Sequence, residues 1–353
     1  MNLGVYCETL SPERLADPAV LALLGRYRVT LGHALRFVDA NARFDPARVA
    51  PHLELAERVR AAGGRYALWP LLPKDLGYWI NERNLDATAR MFDALLTAFQ
   101  RYGCRPDLLV ADIESPWRQM ERVMIPGVSA WRRVASVARM MLENRNPMRF
   151  AWAVARLNEI VGRVRQAGIP VSSAVFPFLI ADLVNDGSAL QDYLEMPVFG
   201  VRFDAYNAMF YNSYLPQAAP MIVPPGAAPR FLFEYAGELV RRRGASAWVT
   251  LGSTWEGVLP GNAENVYREA ERLAPDVAAA KAAGAETIWL YCLEGVLYGD
   301  RQLTEHRTID GAEAFFRVIV ETAAAEPPPH DGWSRRRRLM EFILRDRFRF
   351  GPR

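Results

Sequence analysis

The sequence predicts a (β/α)8 barrel. Eight short strand-like runs alternate with helical stretches along its 353 residues. Several of those runs are apolar on both alternations, as a parallel sheet covered by helices requires. Polar and aromatic residues recur just past the strand ends, where the βα loops of a barrel gather on one face. The competing arrangement is a doubly wound open sheet, but no GxGxxG or P-loop follows any strand, so the usual nucleotide sites of such sheets are missing. The alternation predicts a single barrel domain over residues 1–326, then a proline-rich linker and a basic helix over 327–353.

The expected strands are LGVYC (3–7), RVTLG (28–32), RYALWPLL (65–72), LLVADIE (108–114), VSSAVF (171–176), AMFYN (208–212), AWVTLG (247–252) and TIWLYC (287–292). A helix should start at Asp45-Pro46 and stop at Gly63-Gly64, and a second should run from an Asn84 cap to Gly103. A third should run from an Asn262 cap to Gly284. Asx residues in front and glycines behind are the expected helix punctuation. Residues 115–168 are long for one connection, and Asn146-Pro147 divides them into two helical stretches, which predicts an extra helix at the catalytic end. Pro327 to Pro329 break the chain after the last barrel helix. Leu339, Phe342, Ile343 and Phe350 then give the basic helix an apolar face, which either docks on the barrel or makes peripheral contact with an anionic membrane.

Formal net charge is +3, too small to imply nucleic acid as a partner. From Arg335 onward eight arginines face two acids, so a mildly acidic body of net −3 carries a basic tail of +6. The three cysteines, Cys7, Cys104 and Cys292, are an odd number without CxxC spacing, which fits a reducing compartment. No basic, apolar leader precedes LGVYCE and no run is long enough for a transmembrane segment, so a cytoplasmic location is expected. The four histidines form neither HExxH nor a cluster with Cys or Asp, so no metal or other cofactor is expected. The absence of GxSxG removes the α/β-hydrolase triad.

Chemistry concentrates in DLLVADIESPW (107–117). Side chains at i and i+2 on a strand share a face, so Asp112 and Glu114 point the same way, above Leu108 and Val110. Carboxyl groups at the C-terminal rim of a barrel strand read as catalytic, and burial with mutual repulsion makes one of them a general acid. The plain alternative is a rim salt bridge to an arginine such as Arg118.

The stretch resembles the fourth strand of the family 18, chitinase-like glycoside hydrolases, D-G-x-D-x-D-x-E. Here Asp107, Asp112 and Glu114 match, while Leu108 and Val110 replace the glycine and the middle aspartate. Met209-Phe210-Tyr211-Asn212 is similar to that family's M-x-Y-N on strand six, and Trp289 to the tryptophan on strand eight. The resemblance implies that Glu114 protonates the glycosidic oxygen and Asp112 stabilises a 2-acetamido nucleophile of an N-acetylhexosamine. It implies further that Tyr211 and Asn212 contact the substrate and Trp289 stacks beneath the sugar. Val110 cannot share the proton that the middle aspartate exchanges, so the implied outcome includes loss of activity.

A more general reading pairs Glu114 with a second carboxylate, Glu256 after strand seven or Glu294 after strand eight, with Glu8 a further rim acid. Trp69, Trp79, Trp117 and Trp255 lie at or past strand ends and suit the apolar faces of sugar rings. The expected partner is therefore a carbohydrate substrate, an oligo- or polysaccharide. A carbohydrate-binding barrel without activity, and a barrel enzyme acting on another small molecule, are the remaining alternatives.

Overall fold

The computed structural model describes residues 1–36, 44–123, 139, 143–218, 223, 226–256, 266–300 and 302–326. Eight parallel strands close into a barrel in sequence order. They are β1 (Asn2–Cys7), β2 (Thr30–Leu35), β3 (Arg65–Pro70), β4 (Leu108–Asp112), β5 (Val171–Val175), β6 (Ala205–Phe210), β7 (Ala247–Gly252) and β8 (Thr287–Tyr291). The open-sheet alternative ends at the seam, where β1 pairs with β8 through Gly4↔Trp289 and Tyr6↔Tyr291. The outer layer includes α1 (Pro18–Arg26), α2 (Ala50–Ala61), α3 (Leu85–Tyr102), α4 (Pro147–Gln166), α5 (Ile180–Val184), α6 (Ala228–Arg243), α7 (Ala274–Ala282) and α8 (Ile309–Glu321). Among the described residues no helix is long and apolar enough to cross a membrane. The tail helix expected over 327–353, the Asn262 cap and most of the first half of the 115–168 excursion lie outside the described residues.

Most helix boundaries follow their punctuation. The Asn146 side chain caps α4 by accepting from Arg149 N at 3.0 Å, with Pro147 at its first position. The helix α7 differs from expectation: residues 266–269 are not helical, Ala270–Leu273 is a 3-10 turn, and the α-helix starts at Ala274. Pro275 is the cause, because its ring and missing N–H fit the first turn and not a helix interior. The strand β2 also runs three residues past the expected Gly32, so His33 lies inside it and faces outward. There His33 bonds Leu10 O at 2.8 Å and Tyr66 Oη at 3.1 Å, and His52 of α2 reaches the same phenol at 3.0 Å.

Alternation along the strands makes two packing layers. Val5, Leu31, Leu68, Leu109, Val171, Ala208, Val249 and Ile288 join the shell between strands and helices. Tyr6, Ala34, Ala67, Trp69, Val110, Ala174, Met209 and Trp289 fill the barrel interior. Trp289 spans much of that space, 4.7 Å from the Tyr6 ring and 5.8 Å from Trp248. Its neighbours must be small. A Cβ on Gly4 would lie 2.2 Å from the indole, and one on Gly32 2.8 Å from it. Glycine at both positions lets the ring lie flat across two strands.

Candidate active site

The parity that fills the interior also sets the mouth. Beyond Gly4 and Tyr6 the next inward position is Glu8; beyond Gly32 and Ala34 it is Arg36; beyond Leu108 and Val110 come Asp112 and Glu114. Three carboxyl groups therefore meet at the C-terminal end of the barrel, and all are buried: Asp112 is 2% exposed, Glu8 4% and Glu114 9%. The expected DxE geometry is present, and no arginine salt bridge takes either acid among the described residues.

Asp112 Oδ2 accepts from the Trp69 indole N–H at 3.1 Å, while its Oδ1 is buried with no N–H or O–H donor among the described residues. Burial raises the proton affinity of Asp112, with Glu8's charge adding to it and the Trp69 and Glu114 contacts opposing it. Burial raises Glu114 far above the usual carboxyl range, and the charges of Asp112 and Glu8 push the same way. The two carboxyl groups are close neighbours, and the charge of Asp112 adds to the rise at Glu114. Loss of water from around a carboxylate is the dominant cause in each.

Glu8 is anchored by three donors. Tyr291 Oη donates to Oε2 at 2.6 Å, while Tyr78 Oη at 3.0 Å and Arg36 Nη2 at 3.2 Å donate to Oε1. Arg36 also donates to the Tyr78 oxygen at 2.7 Å. Burial pushes the Glu8 carboxyl up, and Tyr291, Arg36 and Tyr78 pull it back. Tyr211, one residue past β6, stacks 5.0 Å from the Tyr291 ring, and burial with the nearby Tyr214, Glu114 and Asp112 raises its phenol. Tyr78, Trp79 and Trp117 pack against one another with centroids 5.1–5.3 Å apart and are buried, and Lys74 Nζ lies 4.1 Å over the Trp117 ring.

Other expected site residues stand elsewhere. Glu294 is fully buried, and its Oε1 accepts from the backbone N–H of Glu8 and of Thr9, each at 2.6 Å. It ties the end of β8 to the end of β1 and does not face Glu114. Asn212 turns outward to donate to Asp276 Oδ1 at 2.8 Å and Ala228 O at 3.2 Å. Trp255 and Glu256 line a small hollow with Arg268, Asp300 and Arg307, without the mouth acids. Trp289, 1% exposed, is the floor beneath the acids. Sequence reasoning missed Arg36, although continuing the inward parity of β2 by two residues finds it. Among the described residues no group of three His, Cys, Asp or Glu is placed to hold a metal ion.

No family model matches the chain, and no curated protein matches it by sequence. Solved structures do match. The glycoside hydrolase domain of PgaB (BpsB) from Bordetella bronchiseptica is 11% identical with a TM-score of 0.51, over 90% of this chain and 99% of that one. A Bacteroidetes-affiliated GH5 cellulase linked with a polysaccharide utilization locus is 11% identical at a TM-score of 0.53, over 91% of each chain. A GH5 family lichenase from Caldicellulosiruptor sp. F32 is 12% identical at 0.51, over 88% of this chain and 84% of that one. At such identities the likeness is one of fold. These neighbours correct the family 18 resemblance: they are GH5 enzymes and the PgaB domain, not chitinase-like enzymes, and no family model supports family 18. The physical reasons lie in the motif itself. Val110 is packed in the dry interior where that family has an aspartate, and Asn212 is turned away from the mouth.

Proposed function

We propose that the protein is a glycoside hydrolase acting on an oligo- or polysaccharide, with Glu114 as its general acid. The observation that carries this reading is the Asp112–Glu114 pair, buried on one face at the C-terminal mouth of the barrel, with burial raising both carboxyl groups. A carboxyl group that keeps its proton near neutral pH can deliver it to a glycosidic oxygen as the bond to the anomeric carbon breaks. Asp112, held by the Trp69 indole N–H at 3.1 Å, is the neighbouring charge that keeps the proton on Glu114. Tyr211 stands beside the acids as a phenolic donor for a substrate hydroxyl. The barrel neighbours, a glycoside hydrolase domain, a GH5 cellulase and a GH5 lichenase, support this choice of reaction class.

The test is a panel of cello-, xylo-, manno- and chito-oligosaccharides and mixed-linkage glucans, with products read by chromatography. Wild type should shorten at least one of them. Glu114→Gln should keep the circular dichroism and melting of wild type and lower kcat by about 10²–10⁴-fold. Equal turnover by that variant would remove Glu114 as acid. A protein that holds a labelled oligosaccharide without shortening it is a binding barrel instead.

A further inference from the structure

We infer that Glu8 is the second catalytic carboxylate, the nucleophile that attacks the anomeric carbon opposite Glu114, so that the two catalytic acids stand on β1 and β4. This inference rests on the glycosidase reading of the mouth and supplies the partner that reading lacks.

Four observations select Glu8. It faces inward at the mouth three strands round the ring from β4, and its charge reaches both Asp112 and Glu114. The other two acids considered for the role are spoken for: Glu294 by the backbone of the β1–β8 seam, Glu256 by the hollow it lines. Glu8 has an arginine 3.2 Å away to hold it ionised, which neither Asp112 nor Glu114 has among the described residues. Its oxygens are also unequally occupied. Oε1 accepts from Arg36 and Tyr78, whereas Oε2 accepts, among the described residues, from Tyr291 alone and keeps a lone pair for carbon.

The same donors suit Glu8 to the nucleophile's role. Three hydrogen bonds spread the carboxylate charge, offset part of the rise that burial gives Glu8, and make it a better leaving group from a glycosyl ester. Its backbone is fixed as well, since Glu294 accepts from the N–H groups of Glu8 and Thr9 at 2.6 Å each. A nucleophile held at both ends is prepositioned for attack.

The chemistry balances without a co-reactant beyond water. Glu8 Oε2 forms a C–O bond to the anomeric carbon while the glycosidic C–O bond breaks. That electron pair leaves on the glycosidic oxygen, which takes the proton of Glu114 and departs as an alcohol. Water then attacks the same carbon and gives a proton to the Glu114 carboxylate, and Glu8 leaves as a carboxylate. Two displacements give net retention of configuration.

The experiment uses the full chain and an aryl glycoside of whichever sugar wild type cleaves. Glu8→Ala and the isosteric Glu8→Gln should each lose at least about a thousandfold in kcat/KM. Azide should restore turnover of Glu8→Ala, giving a glycosyl azide of inverted configuration, while the product of wild type, followed by proton NMR, retains it. Rescue by azide also certifies that the variant is folded. A Glu8→Gln enzyme within tenfold of wild type, or an inverted product from wild type, overturns the assignment and leaves the glycosidase reading standing. A wild type that cleaves no glycoside in the panel overturns both.

Discussion

Trp69 shows how one side chain changes meaning between sequence and structure. Its place at the end of β3 suggests a stacking platform; in the fold its indole N–H is a donor to Asp112. A hydrogen bond to the ionised form lowers a carboxyl's proton affinity, so Trp69→Phe should raise that of the Asp112–Glu114 pair. The alkaline limb of the pH–rate profile should move up by about half to one unit, with little change in melting temperature. A limb that stays in place, or moves down, would show that Trp69 does not set the pair's affinity. The pair itself was legible in the sequence, because two acids two residues apart at the end of an apolar run have only one common face. The anchoring of Glu8 was not. Arg36, Tyr78 and Tyr291 come from three different strands or loops, and only barrel closure brings them to one carboxylate.

At the level of elements, the strands were legible because both alternations are apolar, and their ends were not, because burial by outer helices extends β2 to Leu35. Pro275 carried the true start of α7, but a run of alanines and charged residues upstream outweighed it in the pattern. The loops after β3 and β5 are joined by a knot no periodicity reveals: Glu195 accepts from Arg83 and Arg149, and Arg149 also bonds Glu82. Packing in the barrel interior makes a sharper demand. Gly4 and Gly32 read as ordinary strand glycines, yet each is the space that Trp289 occupies. Gly4→Ala forces the indole, held by Tyr6 and Trp248, to move, and should cost about 1–3 kcal/mol in a urea melt. A neutral result would mean that the ring has room to slide.

Across the whole molecule, buried ionisable groups set opposing pH dependences. His33 and His52 are driven down by burial, to about 4 and about 2, while the unfolded chain titrates them near the ordinary 6.5. As pH falls below 6.5 the unfolded state takes up protons that the native state refuses, so this contribution is lost toward acid. Asp276 and Glu82 are raised by burial to about 6 and about 7. Their native forms keep protons that the unfolded chain has released, so their contribution is full in acid and lost as pH rises through those values. Removing one set should tilt the curve: His52→Gln should move the stability optimum toward acid, and Asp276→Asn toward alkali, in denaturant melts between pH 4 and 8. Shifts in the reverse directions would contradict the burial argument.

The tryptophan floor under the acids ties the filling of the barrel interior to acid strength. Carving out Trp289 or Trp69 to admit a bulkier ligand would let solvent seep beneath Asp112 and Glu114 and return them toward the behaviour of free carboxylic acids. In this barrel the volume of the interior and the grip the acids keep on their hydrogen cannot be engineered one at a time.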